Sequence, residues 1–299
     1  MVRAGTAINP GSDAAVIRVK ADSYPPLPVG EPQDDIPDKY LAMSVDCNGV
    51  QVYLDPYEGS KATVAEAARN LVCSGARPLG ATDNLNFGNP HNPELFWQLK
   101  ESVRGLAEAC EAFDTPVTGG NVSLYNQNPA GAIDPTPTVG MVGLIEKPEH
   151  ITSQWFKDEG DAILLLGQAV ESDDPLLGLG GSALLQVEHG RKEGTPPPCD
   201  LAKEKTLHDA LLGLIETGVV KSAHDCAEGG LAVALAECAI SELTARQTPR
   251  LNGAEIDLSE FDCERLDALL YGEAHSRVII TTSEAEAGAA VDRAKLLGV

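Results

Sequence analysis

The chain has 299 residues, 43% of them hydrophobic, and its 22 basic and 45 acidic side chains give a formal charge of −23. This length suits two domains that each have a core, and the apolar content excludes a disordered chain. The negative charge argues against binding to nucleic acid or to an anionic membrane surface, because both repel an acidic protein.

Cysteine usage and the lengths of the apolar runs predict a soluble, cytoplasmic protein. The seven cysteines are odd in number and form no CxxC pair. Free thiols in a reducing compartment therefore fit better than disulfides or zinc sites. No signal peptide opens the sequence, and no apolar run approaches the ~20 residues that a membrane helix needs.

In the first half of the chain, short apolar runs alternate with helical patterns. The apolar runs predict strands over residues 14–19, 41–45, 78–82 and 138–145, with another extended stretch at 51–54. The proline-rich segment 23–38 predicts a surface loop, since proline cannot donate to a sheet.

The spacing of apolar residues predicts two helices in this half. The first covers 61–72 and the second 93–113. The predicted inner faces consist of Ala62, Ala65, Ala68, Leu71 and Val72 on the first helix and Leu99, Val103, Leu106 and Cys110 on the second.

The second half predicts another alternation of strands and helices. We expect strands at 162–166 and 219–223. Helices are expected at 201–216, 231–241 and 284–297, the first with an inner stripe of Leu207, Leu211, Leu214 and Ile215.

Small polar residues next to glycine mark the first candidate site. Gly119-Gly120 precedes Asn121 and Ser123, whose neutral oxygens are of the kind that hold Mg²⁺ or phosphate. The same residues also suit an ordinary glycine turn. Segment 83–90, Asp-Asn-Leu-Asn-Phe-Gly-Asn-Pro, follows a predicted strand and suits either a ligand loop or an Asx-rich turn.

An acid and an amide one helical turn apart mark the second candidate site. Glu66 and Asn70 share a face of the first helix, across from Asp46, and together they offer oxygen ligands for Mg²⁺. Alternatively, Glu66 pairs with Arg69 or faces water.

Two glycine-containing segments complete the candidates. Gly178 to Ser182 has no following lysine, so it is not a Walker loop, and a glycine turn before a helix or strand is the alternative. His224 and Asp225 precede Gly229-Gly230 and a helix, a placement that suits a cation facing a phosphate. For His224 we favour a structural hydrogen bond over a role as a base.

Four ordered segments carry a resemblance to a known family: LDPYEGSKATVAEAARNL, ATDNLNFGNP, PVTGGNVSLYN and PTPTVGMVGL. Together they resemble the second half of the synthetase subunits of phosphoribosylformylglycinamidine synthase, within the aminoimidazole ribonucleotide synthetase superfamily. The segment from His224 to Leu231 is similar to the family motif HDxSDGGL, with Ala227 and Glu228 replacing the usual Ser and Asp. This departure puts in doubt the nucleotide contacts of the missing hydroxyl. Residues 271–282 resemble the family's GEsqSR turn and strand, which implies that Arg277 points inward.

The resemblance implies an α+β fold of two domains. Residues 1–147 would form an A domain whose mixed sheet pairs with that of the first half into a pseudo-dimer barrel. Residues 148–299 would form an α/β B domain, which we expect to be truncated at its C-terminus because the family domain continues further. The implied reaction uses ATP and glutamine-derived ammonia to convert formylglycinamide ribonucleotide to its amidine in purine biosynthesis. The implied partners are the missing N-terminal half, a glutaminase subunit and a small bridging subunit.

The resemblance also implies roles for individual residues. Asp83 and Gly120 would contact ATP, Asn121 would ligate Mg²⁺, and Ser123 would contact the ribonucleotide. At a second site, which holds a non-reacting ADP in larger relatives, the metal-binding residues would be Asp46, Glu66, Asn70 and Asp225. No residue of this half would be catalytic, because Asn48 takes the place of the family's histidine, and an amide cannot accept a proton near neutral pH.

Two hypotheses of different classes follow. The chain is either half of an ATP-dependent carbon–nitrogen ligase, inactive alone, or a non-catalytic nucleotide-binding module that completes another subunit's site. A complete aminoimidazole ribonucleotide synthetase-like enzyme is a further alternative, although we see no phosphate-binding glycine loop of that type.

Overall fold

The computed structural model describes residues 6–8, 11–20, 37–167, 178–259, 261 and 265–299. The strands are β1 Ala15–Val19, β2 Lys39–Asp46, β3 Arg77–Asn86, β4 Val117–Ser123, β5 Gln127–Asn128, β6 Gly131–Ala132, β7 Thr136–Ile145, β8 Asp161–Gly167, β9 Ser222–Asp225 and β10 Arg277–Ser283. The helices are α1 Gly49–Leu54, α2 Pro56–Cys73, α3 Pro93–Ala112, α4 Ala183–His189, α5 Leu201–Glu216, α6 Gly230–Ile240, α7 Glu242–Ala245, α8 Leu266–Tyr271 and α9 Glu284–Leu296.

The first sheet has the strand order β1-β2-β7-β3-β4 and is antiparallel except for the parallel pair β3–β4. Helices α2 and α3 cover one face, where Val16, Leu71 and Met141 belong to the buried core. On the opposite face Met43, Val45 and Val142 are 38%, 71% and 39% exposed. The sheet therefore buries one face only.

The second sheet has the order β8-β10-β9 and is antiparallel throughout. On one face Val278 and Ile280 pack with Leu211 of α5. On the other, Ile279 packs with Leu231 of α6. Because successive residues of β10 contact different cores, this strand is buried on both faces.

Helix α2 belongs to both halves of the fold. It begins with Pro56 after Asp55, whose side chain accepts hydrogen bonds from the backbone amides of Tyr57 and Glu58. The helix packs on β2, β7 and α3 of the first half and on β9 and α5 of the second. Its last turn places Val72 and Cys73 in the core of the second sheet. Consequently α2 is buried on nearly all sides.

Most of the predicted elements are confirmed, as is the expected α+β architecture with a mixed sheet in the first half. The predictions for 14–19, 41–45, 138–145, 162–166, 201–216, 231–241 and 284–297 match β1, β2, β7, β8, α5, α6 and α9 within two residues at each end. Arg277 is 1% exposed, so its predicted inward position is confirmed.

The prediction of an extended stretch at 51–54 was wrong, because these residues lie in α1. Asn48 caps this helix: its Oδ1 accepts a hydrogen bond of 3.1 Å from the amide of Gln51. Helix α2 also starts five residues before the predicted 61, since Pro56 suits a first helical turn. The narrow apolar stripe predicted for α2 was too restrictive.

The predicted loops at 83–90 and Gly119-Gly120 were partly wrong. Strands β3 and β4 run on through Asn86 and Ser123, and Asp83 to Asn86 pair in register with Gly120 to Ser123. Their polar residues thus lie in sheet structure, because the two strands satisfy each other's backbone groups. On α3, Val103 was wrongly placed in the core, since it is 43% exposed.

Three expectations concern the chain as a whole. Of the proline-rich segment 23–38, residues 23–36 lie outside the described residues. Within the described part of the chain, no helix combines the length and apolar character needed to cross a membrane. The cysteines described there are all free thiols.

Candidate functional site

Two groups of predicted site residues lie in different settings. The first group, here called the carboxylate cluster, consists of Asp46, Glu66, Asn70 and Asp225. Asp46 ends β2, Asp225 ends β9, and Glu66 and Asn70 lie one turn apart on α2. The side-chain amide of Asn70 donates a hydrogen bond of 3.0 Å to Oδ1 of Asp46. The fold thus gathers residues from three separate segments of the chain where α2 meets both sheets.

The carboxylates of this cluster resist ionisation. Burial, with a smaller contribution from the nearby charge of Asp225, raises the pKa of Asp46 to about 7. Burial and the charge of Asp225 also raise the pKa of the half-buried Glu66 well above its ordinary value. The pKa of Asp225 is raised to about 6, again mainly by burial. The negative charge of one acid therefore makes ionisation of its neighbours less favourable.

Arg69 supplies the fixed positive charge beside this cluster. Its Nη1 lies 2.6 Å from Oε1 of Glu204 on α5, and its Nε lies 3.4 Å from Oδ2 of Asp225. Arg69 and Glu204 are both fully buried. Burial alone would raise the pKa of Glu204, but the Arg69 guanidinium and the hydrogen bond with His208 together hold that pKa well below its ordinary value.

A second ion pair holds the strand that carries Asp225. Oδ1 of Asp13, just before β1, lies 2.5 Å from Nδ1 of His224, and Oδ2 accepts a hydrogen bond of 3.2 Å from the backbone amide of Asp225. Nε2 of His224 lies 3.0 Å from Glu237. Burial would lower the pKa of His224, but Asp13 raises it well above the ordinary value. His224 therefore makes structural hydrogen bonds, as the sequence favoured, with Asp13 and Glu237 as its partners.

The carboxylate cluster has the chemistry of a divalent-cation site. Oδ2 of Asp46 and Oδ2 of Asp225 are buried without a hydrogen-bond partner among the described residues. An ion between the acids would offset the mutual repulsion that raises their pKa values, and oxygen-only ligands suit Mg²⁺. The residues present therefore fit this metal.

The second group, here called the edge cluster, consists of Asp83, Gly120, Asn121 and Ser123 on β3 and the edge strand β4. Asp83 lies opposite Gly120, and a methyl group on Gly120 would lie only 1.9 Å from Oδ1 of Asp83. Asn121 Nδ2 donates a hydrogen bond of 3.0 Å to Asn84 Oδ1. Every residue of β4 is exposed except the half-buried Ser123.

The edge cluster is divided between the two faces of the sheet. Successive residues of a strand point to opposite faces. Asp83 and Gly120 therefore share the helix-covered face, whereas Asn121 and Ser123 share the open face with Asn84. Asp83 also lies in the same row as Asp46, since both pair with Val139 of β7. Val139 thus lies between one residue of each cluster, Asp46 on one side and Asp83 on the other.

The two glycine segments of the second half are tied together by Glu273. Its Oε1 accepts hydrogen bonds of 2.7 Å from the amide of Ala183 and 2.8 Å from the amide of Gly229. Ser182 caps α4, so the helix alternative for that segment holds. A methyl group on Gly181 would lie 3.0 Å from Leu54 of α1. The first glycine segment thus rests on the first half of the chain.

Sequence reasoning did not find the charges that organise the carboxylate cluster. Arg69 was considered only as a partner for Glu66, and Asp13 and Glu204 were not singled out. The available signal was a lone arginine inside an alanine-rich helix, since a buried arginine needs acidic partners. Its partner Glu204 lies 135 residues away, beyond any local pattern.

Family comparisons cover almost the whole described chain. Residues 11–145 match the family described as "AIR synthase related protein, N-terminal domain". Residues 158–299 match "AIR synthase related protein, C-terminal domain". The two matches follow the two sheets, in the same order.

Individual relatives agree with this match. The chain is 47% identical over 300 residues to "Phosphoribosylformylglycinamidine synthase subunit PurL" of Symbiobacterium thermophilum, covering 96% of this chain and 37% of that protein. It thus spans little more than a third of the curated relative's length.

Solved structures show the same fold. "T. maritima PurL complexed with FGAR" aligns with a TM-score of 0.65 and 19% identity over 87% of this chain and 40% of that one. A chain of a "HypE-HypF complex" aligns with a TM-score of 0.60 and 17% identity over 95% of this chain and 82% of that one.

Proposed function

This chain belongs to the AIR synthase related proteins, and on that premise we propose that it forms one half of an ATP-dependent carbon–nitrogen ligase. The proposed reaction converts formylglycinamide ribonucleotide, ATP and ammonia to formylglycinamidine ribonucleotide, ADP and phosphate. The support is the 47% identity to a PurL subunit, together with structures described as PurL bound to FGAR, ATP and ADP.

The carboxylate cluster is the observation that carries the proposal. Three acids with raised pKa values and one amide converge from β2, α2 and β9, and buried Oδ2 atoms of Asp46 and Asp225 have no hydrogen-bond partner within the described chain. A magnesium-bound nucleotide would add positive charge there beyond that of Arg69. We assign to this cluster the second nucleotide site, whose ADP is structural.

The edge cluster is proposed as the working site. Asp83 and Gly120 would contact ATP, Asn121 would ligate Mg²⁺, and Ser123 would contact the ribonucleotide. Phosphoryl transfer depends on positioning and on neutralising charge, and a bound Mg²⁺ supplies the second of these. Because β4 is exposed, shielding of the reactive intermediate from water must come from another polypeptide segment.

The open face of the first sheet suits that missing segment. Met43, Val45 and Val142 leave an apolar surface there, and such a face usually marks an interaction site. We propose that the A domain, residues 1–147, pairs through this face with the N-terminal half of the same synthetase, and that residues 148–299 form the B domain. A glutaminase and a small bridging subunit complete the proposed cytoplasmic assembly.

A non-catalytic binding module is the second candidate, and the position of Asn48 favours it. Instead of a base, this position holds the cap of α1, with Oδ1 bonded to the amide of Gln51. The chain alone then binds nucleotide without turnover. Both candidates predict binding of Mg²⁺–ADP, and they differ only in whether activity appears when the missing half is added.

Calorimetry and phosphate release together test the proposal. Mg²⁺–ADP is titrated into the chain alone, its Asp46→Asn variant and an Asp209→Asn control, whose acid is exposed on α5. We expect binding that Asp46→Asn weakens at least about tenfold, a loss of about 1.4 kcal/mol, and that Asp209→Asn leaves unchanged. No binding to the wild-type chain would overturn the assignment of the carboxylate cluster.

In the activity assay, the N-terminal half of the Symbiobacterium thermophilum PurL subunit is added to the chain, and ammonia serves as the nitrogen donor. Phosphate release that depends on formylglycinamide ribonucleotide and is lost in Asn121→Ala supports the ligase. Binding of Mg²⁺–ADP without such phosphate release supports the non-catalytic module.

A further inference from the structure

A groove runs beside one edge of the second sheet. It has a volume of about 1070 Å³ and lies between β8 and the segment 251–258. Its apolar floor comes from β8, β10 and α6, through Ile163, Leu165, Ile279, Leu231 and Leu235. These side chains belong to the core between the sheet and α6 or pack against it. The groove therefore opens that core towards the surface.

Strand β8 presents an unpaired edge to this groove. In the order β8-β10-β9 it lies at the border of the sheet, and within the described chain it pairs only with β10. The five successive residues from Asp161 to Leu165 all line the groove, although neighbours in a strand point to opposite faces. The groove thus follows the edge of the strand rather than one face. The N–H and C=O groups along such an edge can pair with another strand.

Segment 251–258 forms the opposite wall and is fixed near both ends. Nδ2 of Asn252 donates hydrogen bonds of 3.3 and 3.1 Å to the carbonyl oxygens of Phe156 and Lys157. At the other end, Leu258 packs against the core between the sheet and α6. Among the described residues, no hydrogen bond joins this segment to β8. The wall therefore lies beside the edge without pairing with it.

The charged residues that line the groove are all acidic. They are Asp158, Glu159, Asp161, Glu255 and Asp257. Lys221 pairs with Asp158 and Asp161, whereas the other three acids have no ion-pair partner among the described residues. Glu159 lies on the side of β8, and Glu255 and Asp257 lie on the opposite wall. Closing that wall onto β8, or pairing β8 with the same edge of a second copy, would bring like charges together.

We propose that this groove binds an extended peptide in which apolar and basic residues alternate. The peptide adds a fourth strand next to β8, where main-chain hydrogen bonds supply affinity and alternate side chains supply specificity. Its basic residues offset the repulsion between the acids of the two walls. Leu251 and Ile256, which are 50% and 39% exposed on the opposite wall, add apolar surface for the other residues. This binding site is independent of the proposed ligase activity.

Fluorescence polarisation tests the proposal with three labelled heptapeptides and the wild-type chain, at about 0.15 M salt. The probe is Lys-Val-Lys-Val-Lys-Val-Lys. One control peptide has proline in place of each valine, which keeps the charge but removes N–H donors. The other has glutamate in place of each lysine. We expect the probe to bind at least about tenfold more tightly than either control.

Two double variants and hydrogen exchange locate the binding. Glu255→Lys with Asp257→Lys should weaken binding of the probe at least about tenfold, because both acids line the groove. Asp209→Lys with Asp292→Lys makes the same change of net charge at exposed positions of α5 and α9, and should change the affinity by at most about twofold. The probe should also protect amides of β8 from exchange, but not those of β9.

Each competing explanation has its own result. Equal binding by the two double variants, or equal binding of the proline peptide, would overturn the proposal, because net charge alone would then attract the probe. Amides of β8 that are protected in the free monomeric chain would overturn it in favour of closure by segment 251–258. Protection that appears only as the chain dimerises would overturn it in favour of a second copy.

Discussion

The carboxylate cluster and the edge cluster were predicted from the same sequence, yet they differ in how complete they are. The carboxylate cluster is enclosed by α2, β2 and β9, and Arg69 already fixes the charge beside it. The edge cluster lies on an exposed strand, with its residues divided between two faces of the sheet. A buried site is built by the chain's own packing, whereas a site on a sheet edge depends on what covers that edge.

The largest expected effect tests how far Arg69 supports the buried cluster. Arg69→Met removes the partner of Glu204 and Asp225 and leaves their charges uncompensated in the interior. We expect the free energy of unfolding to fall by about 3–5 kcal/mol, measured by urea denaturation. Arg191→Met, whose ion pair with Glu193 is exposed, should cost at most about 1 kcal/mol. Equal losses in the two variants would contradict the role of Arg69.

The next effect probes how tightly the edge cluster is packed. Gly120→Ala would place a methyl group 1.9 Å from Oδ1 and 2.5 Å from the backbone oxygen of Asp83. We expect a loss of about 1–3 kcal/mol in unfolding free energy from this overpacking. Gly119→Ala is the matched control, because nothing lies within 4 Å of its added methyl group. Equal losses of unfolding free energy in Gly120→Ala and Gly119→Ala would contradict the close contact between Gly120 and Asp83.

A pH series separates the buried acids from exposed ones. Burial raises the pKa of Asp46 to about 7. The Asp46 carboxyl group therefore stays protonated in the folded chain at pH values where it has ionised in the unfolded chain. Stability from this group therefore falls as the pH rises from about 4 to about 7, by at most about 1.4 kcal/mol per pH unit. Asp46→Asn should gain stability over wild type across this window, and Asp209→Asn should not. Chelator-treated protein is used, and a pH-independent difference would contradict the raised pKa.

The smallest effect concerns Asn48. Asn48→Ala removes the cap of α1 and should lower the unfolding free energy by about 1 kcal/mol. Asn48→Asp keeps an acceptor oxygen and should retain most of that stability. If the proposed ligase is assembled with its other half, we expect neither change to reduce turnover by more than about twofold. A loss of activity beyond the loss of folded protein would give Asn48 a chemical role.

Local pattern was enough to predict most of the regular structure. Helix α5 has its apolar residues at helical spacing, with Asp200 as cap, and its predicted bounds match. The prediction for residues 51–54 failed because so short a segment suits either a strand or a helix. The cap at Asn48 favours the helix. Val103 failed because spacing alone does not show which side of α3 faces α2.

The sequence predicted the members of the carboxylate cluster but not its electrostatics. Glu66 and Asn70 share a helix face by spacing, and their approach to Asp46 is confirmed by the hydrogen bond from Asn70. The pairing of Arg69 with Glu204, and of Asp13 with His224, arises from packing between distant segments. No periodicity encodes contacts of that kind.

Helix α2 has a consequence for motion. Because one rigid element is packed against both sheets, the two halves cannot swing apart about a hinge without exposing its buried sides. The carboxylate cluster is therefore preorganised during folding, and ligand capture there should follow a lock-and-key course rather than domain closure.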